Sequence, residues 1–283
     1  MPQDNIHLYY AFGNETSIMI EGRLLEERVF KVVEKSDTIR VNIWRKLKQL
    51  VNDEIKNQTV TLSVAGQDFH TKSNHEGYFL FDIPIALAEG YHDIFLQIEE
   101  HPVKEQFPLP IMIHEGVGII SDFDDTVIIS DVTQKVKLVY NLLAKNYKQR
   151  TLVTGMKEHF EKICKENTTA FPSTLFFLTG SPKQLFDAIN QFLDFHDFPN
   201  HQLLAKQIHG DAKDPLFDQL RYKTTQIENL FAFYPKMEWV LFGDNGEKDS
   251  EVYEAIAKKY PERVRAFYIR DVKSGEIKES RVK

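Results

Sequence analysis

The pattern of apolar and polar positions changes character near residue 115 of the chain. Before that point, short segments such as 59–64 and 93–98 alternate apolar and polar residues, and turns rich in Gly, Asn and Asp separate them. Segments of this kind at regular spacing predict strands with one buried face, as in a β-sandwich. One interruption, 39–55, has apolar residues at helical spacing and predicts an amphipathic helix. The candidate strands are 7–11, 17–26, 59–64, 77–83, 92–99 and 108–114.

From residue 116 onward, apolar strand-like runs alternate with helical patterns. This alternation predicts a parallel sheet with helices on both faces. We therefore expect a mostly β, sandwich-like domain at 1–115 and an α/β domain at 116–283, with a frayed polar tail after Lys273. The predicted strands are 117–122, 174–178, 203–208, 238–242 and 264–269, and the predicted helices are 134–145, 156–167, 182–196, 223–234 and 250–260.

Three predicted strands end in residues that can carry chemistry. The strand ends are Ser121-Asp122-Phe123-Asp124-Asp125-Thr126, Thr179-Gly180-Ser181-Pro182 and Gly243-Asp244-Asn245-Gly246-Glu247-Lys248-Asp249. Open α/β sheets bind their ligands at the carboxyl ends of strands, so we expect these residues to share a site. Carboxylates held close together repel unless a cation or a proton separates them, and Mg²⁺ prefers carboxylate and phosphate oxygens.

Two further features suggest a place for a phosphate group. A helix that starts at Ser181, with Pro182 in its first position, would offer free backbone amides to a phosphoryl oxygen. Lys223 is predicted at a helix N-terminus, where it opposes the helix dipole, so a positive charge directed at a phosphate explains it better than helix stability does.

The residue types, their order and their placement at strand ends resemble the four motifs of the haloacid-dehalogenase (HAD) superfamily of phosphatases. Together with Tyr268-Ile269-Arg270-Asp271-Val272, the runs quoted above narrow the resemblance to the catalytic domain of the actin-patch-associated phosphatidate phosphatases. The resemblance covers most of 117–272 and implies a HAD-like Rossmannoid parallel sheet. Because 14 residues separate Ile208 from Lys223, too few for a folded insert, we expect a minimal cap and an open site.

The same resemblance implies a two-step phosphatase mechanism. Asp122 would be the nucleophile and would form an aspartyl-phosphate, while Asp124 would act as general acid and then as general base. A Mg²⁺ ion would be held by Asp122, the backbone carbonyl of Asp124, and Asp244.

Other site residues implied by the resemblance would surround the phosphoryl group. Thr179 and Lys223 would hold its oxygens, and Gly180 and Ser181 would contribute to substrate binding. Asp249 and Asn245 would lie behind the metal ligands and orient them without binding the metal themselves.

Composition and charge narrow the range of partners. The formal net charge is −7, all of it from residues 1–115, so neither half is a basic footprint for nucleic acid. No apolar run is long enough to span a bilayer, and the N-terminus lacks the pattern of a signal peptide. With a single cysteine, Cys164, the chain is expected to be cytoplasmic, and peripheral to a membrane when its substrate is a lipid.

Three functions follow from these features. The leading hypothesis is a Mg²⁺-dependent phosphatase for a lipid phosphomonoester such as phosphatidate, because an open site suits a phosphate on a large carrier. A phosphatase for a soluble or sugar phosphate is the alternative, favoured by the acidic N-terminal half and the lack of a basic patch. A catalytically silent binding or scaffold protein is the third, and the complete set of acidic and basic site residues argues against it. The predicted helix at 136–143 could touch lipid, although packing on the sheet is the simpler interpretation.

Overall fold

The computed structural model describes residues 4–26, 33–50, 55–99, 101, 104–112, 115–129, 144–167, 175–206, 219–246 and 248–281. The chain divides into two compact units, Met1–Val32 with Trp44–Ile113 and Val33–Ile43 with His114–Lys283. Residues 33–43 thus group with the α/β region, whereas the sequence pattern assigns them to the first domain. The physical reason is local: the Asn42 side chain donates hydrogen bonds to Ala144 O and Gln149 Oε1, both at 2.8 Å.

The first unit is built on one seven-stranded sheet. Its strands are β1 Asp4–Gly13, β2 Ser17–Glu26, β3 Thr59–Val64, β4 Gln67–Lys72, β5 Tyr78–Pro84, β6 Gly90–Ile98 and β7 Glu105–Ile111. They are ordered β4-β3-β6-β7-β1-β2-β5, and neighbours are antiparallel except for a short parallel contact between β1 and β7. Alternate residues of these strands, such as Ile20, Leu62 and Leu96, turn into a single apolar core.

This sheet confirms that the first unit is mostly β, but its form differs from the predicted sandwich. The end strands β4 and β5 approach each other, so a single sheet nearly closes like a barrel. Alternation identifies the buried face of each strand but not how strands are shared between sheets. The prediction also missed β4, whose polar residues follow the turn at Ala65 and Gly66.

The second unit contains a six-stranded sheet and a separate two-stranded sheet. Its strands are β8 Val117–Ser121, β9 Ile128–Ile129, β10 Thr151–Leu152, β11 Leu175–Pro182, β12 His201–Lys206, β13 Glu238–Asp244, β14 Val264–Arg270 and β15 Ile277–Arg281. The larger sheet has the order β12-β11-β8-β13-β14-β15, and all its neighbours are parallel except β15, which is antiparallel to β14. The prediction of a frayed tail was wrong because β15 obtains backbone partners along this edge of the sheet.

Helices cover both faces of the parallel strands. In the described ranges, the helices of this region are α2 Met156–Cys164, α3 Phe186–Phe195, α4 Gln219–Phe233 and α5 Asp249–Lys259, and helix α1, Ile39–Leu50, crosses the division between the two units. Trp239 of β13 stacks on Phe231 of α4 with ring centres 5.9 Å apart. Phe242, which alternation places on the opposite face, packs edge-on against Phe160 of α2 at 4.8 Å. A strand buried on both faces explains the uninterrupted apolar run of β13.

Some predictions concern residues outside the described ranges. The predicted helix at 134–145 lies outside them except for residues 144 and 145, so its 136–143 face is not described. The segment 207–218, where a larger cap would have to be inserted, also lies outside them. In the described part of the chain, no helix combines the length and the hydrophobicity required for a membrane span.

The two tryptophans provide a matched test of the core. Trp239 is 0% exposed and Trp44 is 59% exposed. We expect Trp239→Ala to lower the free energy of unfolding by about 3–5 kcal/mol, since it leaves a large cavity. Trp44→Ala should change it by no more than about 0.5 kcal/mol. Urea denaturation followed by circular dichroism measures both values, and equal effects would contradict the burial of Trp239.

Candidate active site

Asp122 and Asp124 follow β8 at the carboxyl edge of the parallel sheet, where β11 and β13 also end. The Asp122 amide donates to Phe242 O of β13 at 2.8 Å, which extends the strand pairing by one residue. Between the two acids, Phe123 is fully buried and packs edge-on against Phe177 and Phe192. This aromatic anchor fixes the short segment that carries both buried carboxylates.

Lys223 is brought to Asp122 from helix α4. Its side chain is 1% exposed, and its ammonium lies 2.8 Å from Asp122 Oδ1 and also donates to Asp249 Oδ1. Helix α4 begins at Gln219, so Lys223 is the fifth helical residue and not the first, as predicted. The predicted helix start was therefore wrong. Two buried carboxylates surround this cation, and its predicted role at a phosphate stays a prediction.

Asp249 contacts two of the other predicted site residues directly. Asp249 Oδ2 accepts a hydrogen bond from the Asp244 amide at 3.3 Å, while Oδ1 accepts from Lys223. The approach depends on Gly243, where a Cβ atom would lie 2.6 Å from Asp249 Cβ and Oδ2. Tyr253, four residues further along α5, donates to Phe242 O at 2.8 Å and holds the helix against β13.

Asp124 turns its carboxylate toward the end of β11. Asp124 Oδ2 accepts from the Ser181 hydroxyl at 2.9 Å and from the Thr179 hydroxyl at 3.3 Å. The Ser181 amide in turn donates to Thr179 Oγ1 at 3.0 Å. Thr179 and Ser181 therefore form one hydroxyl pair around Asp124, with Gly180 between them.

The expected helix start at Ser181 was wrong. Strand β11 continues to Pro182, a short 3₁₀ turn follows at Lys183–Leu185, and α3 begins at Phe186. The Ser181 amide is engaged by Thr179 and is not a free donor at a helix end. A substrate-binding role for Gly180 and Ser181 stays a prediction.

Arg150 is a buried cation that the sequence pattern did not single out. Burial lowers the pKa of Arg150 to about 10, and the negative charge of Asp124 acts in the opposite direction. The guanidinium therefore remains charged at neutral pH, in a position where its field acts on Asp124. In the sequence it ends the polar run Lys145-Asn146-Tyr147-Lys148-Gln149, where nothing distinguishes it from a solvated arginine.

Asp125, in the loop after β8, and Asn245, in the loop after β13, make hydrogen bonds that fix the backbone near the site. Asp125 has a left-handed φ of 57°, and its carbonyl accepts a hydrogen bond from Arg270 Nη1 at 2.6 Å. Asn245 is exposed, and its side chain accepts from the Val272 amide at 2.9 Å. Asn245 therefore ties the loop after β13 to Val272, just beyond the end of β14. Its predicted role behind the metal ligands stays a prediction.

Three buried carboxylates could share a metal ion. One oxygen each from Asp122, Asp244 and Asp249 lie within 4.8 Å of one another. Oxygens on opposite sides of a single Mg²⁺ are about 4.2 Å apart, so a small adjustment would let these groups share the ion. Three carboxylates with one ammonium, Lys223, leave an excess of buried negative charge, which a divalent cation would offset. These donor groups therefore fit Mg²⁺. The resemblance implied Asp122, the Asp124 carbonyl and Asp244 as ligands, and the structure adds Asp249 as a further candidate.

Sequence comparisons match this chain to one family model and to two relatives. A family model described as "Phosphatidate phosphatase APP1, catalytic domain" matches residues 117–271, more than half of the chain. Phosphatidate phosphatase APP1 of Saccharomyces cerevisiae is 28% identical over 176 residues, which cover 61% of this chain and 29% of the relative. An uncharacterized protein of Schizosaccharomyces pombe is 26% identical over 217 residues, which cover 73% of this chain and 35% of that protein. The chain thus spans about a third of the length of these relatives.

Solved structures add a weaker likeness. A carbohydrate acetylesterase from Xanthomonas citri aligns with a TM-score of 0.37 and 12% identity, over 94% of this chain and 68% of that one. At this TM-score we infer nothing from the match.

Two lysines provide a matched test of the buried ion pairs. Lys223 is 1% exposed between two carboxylates, whereas Lys248 is 58% exposed beside Glu251. We expect Lys223→Met to lower the free energy of unfolding by about 3–5 kcal/mol, because it strands buried charges. Lys248→Met should cost no more than about 0.5 kcal/mol. Urea denaturation in a Trp44→Phe background, followed by Trp239 fluorescence, measures both, and a small loss for Lys223→Met would contradict the buried pairing.

Proposed function

The chain belongs to the family of the catalytic domain of phosphatidate phosphatase APP1, and from this premise we propose that it is a Mg²⁺-dependent phosphatase for a lipid phosphomonoester. The observation that carries the proposal is the buried group of Asp122, Asp249 and Lys223 with Asp244 beside it. All four residues lie within the matched segment 117–271. Such a group can offset the charge of a phosphoryl group and hold a nucleophilic carboxylate.

The fold that we propose for residues 116–283 is a HAD-like Rossmannoid sheet with a minimal cap. Supporting features are the parallel order β12-β11-β8-β13-β14, the helices on both faces, and a site at the carboxyl edge next to the central strand β8.

In the first step, a carboxylate oxygen of Asp122 attacks phosphorus, and the bond from phosphorus to the leaving oxygen breaks. Asp124 gives a proton to that oxygen, so the alcohol leaves neutral and an aspartyl-phosphate remains. Because the Ser181 and Thr179 hydroxyls bind Asp124 Oδ2, we assign the transferred proton to Oδ1. Lys223 stays beside Asp122 and offsets negative charge as the new bond forms.

In the second step, Asp124 takes a proton from a water molecule, whose oxygen attacks the phosphorus of the aspartyl-phosphate. The bond between Asp122 and phosphorus breaks, which releases inorganic phosphate and restores both carboxyl groups. Asp122, Asp244 and Asp249 would hold Mg²⁺, which when bound supplies charge neutralisation at the phosphoryl oxygens.

The proposed substrate class rests on the relatives. The Saccharomyces cerevisiae relative is named a phosphatidate phosphatase, and the family description carries the same activity. We therefore propose phosphatidate, or a lipid phosphomonoester with the same headgroup, as the substrate presented at a membrane surface.

The direct test is phosphate release with Mg²⁺ from short-chain phosphatidate in mixed micelles and, in parallel, from a soluble aryl phosphate. Asp122→Asn should lower release by about 10³-fold or more, because an amide cannot form the aspartyl-phosphate. Asp197→Asn is the matched control: Asp197 is exposed and has a left-handed φ of 51°, which asparagine tolerates.

The substrate comparison separates the candidate functions. A preference for phosphatidate supports the lipid proposal, and equal or better turnover of the soluble ester transfers support to a soluble phosphate. Lack of release from both contradicts the proposed enzyme and favours a silent scaffold.

Metal binding can be measured without turnover. At Mg²⁺ concentrations near a hundred times its dissociation constant, we expect a stabilisation of about 2.7 kcal/mol, seen as a higher midpoint of thermal unfolding. Asp244→Asn should abolish this shift because it removes a carboxylate from the buried group. Glu254→Gln, an exposed acid on α5, should retain it. A shift that survives Asp244→Asn would place the cation elsewhere.

A further inference from the structure

Arg270 is a buried cation that the proposed mechanism does not use. It is the last residue of β14 and is 7% exposed. Among the described residues, its guanidinium makes no ion pair: Nη1 donates to Asp125 O at 2.6 Å, and the buried Nε has no hydrogen-bond partner. Burial of a guanidinium against one neutral acceptor costs more free energy than that hydrogen bond returns. The stability of the fold alone therefore does not account for an arginine at this position.

The hydrogen bond from Arg270 joins two parts of the sheet edge that are separated by a strand. Because β13 lies between β8 and β14, the segment after β8 is about two strand spacings, or about 10 Å, from the end of β14. Asp244 and Arg270 are paired residues of the neighbouring strands β13 and β14. The arginine side chain therefore extends past the end of β13 to reach Asp125 O, which a short side chain could not do.

The backbone that carries this arginine is well fixed. The Arg270 carbonyl accepts a hydrogen bond from the Asn245 amide at 3.0 Å. The turn at 271–276, which follows directly, is closed by two backbone hydrogen bonds of 2.7 Å each. A Cβ atom at Gly275 would lie 4.0 Å from Arg270 Nη2, so this turn packs against the guanidinium. The donor end of the hydrogen bond to Asp125 is thus held in place from β14 and from the turn.

The acceptor end lies in the most constrained part of the loop after β8. Residues 122–127, which contain Asp122 and Asp124, are called the acid loop below. Within it, Asp125 has a φ of 57°, in the left-handed region that residues with a side chain rarely adopt. Such a conformation persists only where surrounding contacts hold it, and the hydrogen bond from Arg270 is such a contact.

We propose that Arg270 is a positioning residue, whose hydrogen bond to Asp125 O holds the acid loop in the conformation that places Asp122 for attack and Asp124 for proton transfer. A small displacement of a reacting group lowers a rate strongly, so a contact outside the reacting atoms can control turnover through their geometry. The part of Arg270 in the reaction rests on the proposed function, whereas its hold on the acid loop does not.

The test compares Arg270→Met with Arg263→Met. Methionine is an unbranched side chain that donates no hydrogen bond. Arg263 lies immediately before β14, at the opposite end of the strand, and is the matched control. In the described part of the chain its guanidinium also donates to backbone carbonyls alone, those of Phe231, Tyr234 and Met237. Circular dichroism verifies that each variant is folded.

Hydrogen exchange, followed by mass spectrometry of peptides, reports on the acid loop without turnover. The amides of Asp122 and Val127 donate to backbone carbonyls at 2.8 and 3.0 Å, so they exchange only when the loop opens. We expect Arg270→Met to speed exchange in the acid loop by about tenfold relative to α3, and Arg263→Met to leave this ratio unchanged. An unchanged ratio in Arg270→Met overturns the proposal.

Kinetics with Mg²⁺ and phosphatidate in mixed micelles test the effect on the reaction. We expect Arg270→Met to lower kcat by about tenfold or more and to change KM by less than about threefold, because Arg270 contacts the loop and not the substrate. A higher KM with unchanged kcat overturns the proposal, since Arg270 would then bind the substrate. An equal loss of kcat in Arg263→Met overturns it as well, because any weakened end of β14 would then have the same effect.

Glycine at position 125 provides a rescue that a merely structural role of Arg270 would not show. Glycine adopts a φ near 57° without steric cost, so the acid loop depends less on the hydrogen bond from Arg270. Relative to its effect in the parent, we expect Asp125→Gly to raise the kcat of Arg270→Met by about threefold or more. A double variant as slow as Arg270→Met overturns the proposal.

Two further outcomes are covered by the same measurements. If Arg270→Met does not fold, Arg270→Lys replaces it, since lysine keeps the buried charge but lacks the guanidinium fork. Exchange in the acid loop should again be faster, and no change overturns the proposal. A parent protein that releases no phosphate contradicts the proposed function, and hydrogen exchange then still decides whether Arg270 holds the acid loop.

Discussion

The ammonium of Lys223, shared by Asp122 and Asp249, is the interaction on which the rest of the site depends. It joins helix α4 to the segment after β8 and to the start of α5, so one buried cation connects three separate parts of the chain. Each carboxylate alone would be costly to bury, and the lysine alone would be equally costly. The arrangement is stable only as a set, and it holds the proposed nucleophile in a charged, orderly position before any substrate arrives.

A second constraint makes that set possible. Asp249 can reach Lys223 and the Asp244 amide only because residue 243 has no side chain. Tyr253 then secures α5 to β13 through a hydrogen bond to Phe242 O. A glycine would weaken an ordinary strand, but here Gly243 permits the close packing that brings three carboxylates together. The same few residues therefore hold the fold together and form the candidate site.

Much of the site could be predicted because the end of a buried strand can be recognised in the sequence. Apolar runs that stop in Asp122, Thr179 and Asp244 place these residues at one edge of a parallel sheet. Contacts between distant segments were harder. Lys223 was predicted at the start of its helix but lies one turn inside it. Arg150 was missed, because neither burial nor a nearby carboxylate leaves a local pattern in the sequence. Three predictions about the fold were wrong: the sandwich, the helix start at Ser181 and the frayed tail. The structure has instead a nearly closed sheet, a strand that continues to Pro182 and a paired edge strand β15, and each of these depends on tertiary partners. The domain boundary rested on periodicity alone, which cannot reveal the bonds between Asn42 and the turn at 144–149.

Net charge is a poor guide to how this chain would meet the anionic substrate that we propose. The excess of acid in residues 1–115 suggests repulsion from anionic lipid, but exposed charges act mainly within a Debye length, about 10 Å at moderate salt. At the proposed reaction centre, Lys223 and Arg150 are buried and only weakly screened. A chain with a net negative charge could in this way bind the negative substrate that we propose, because the decisive charges are the few that lie at the site.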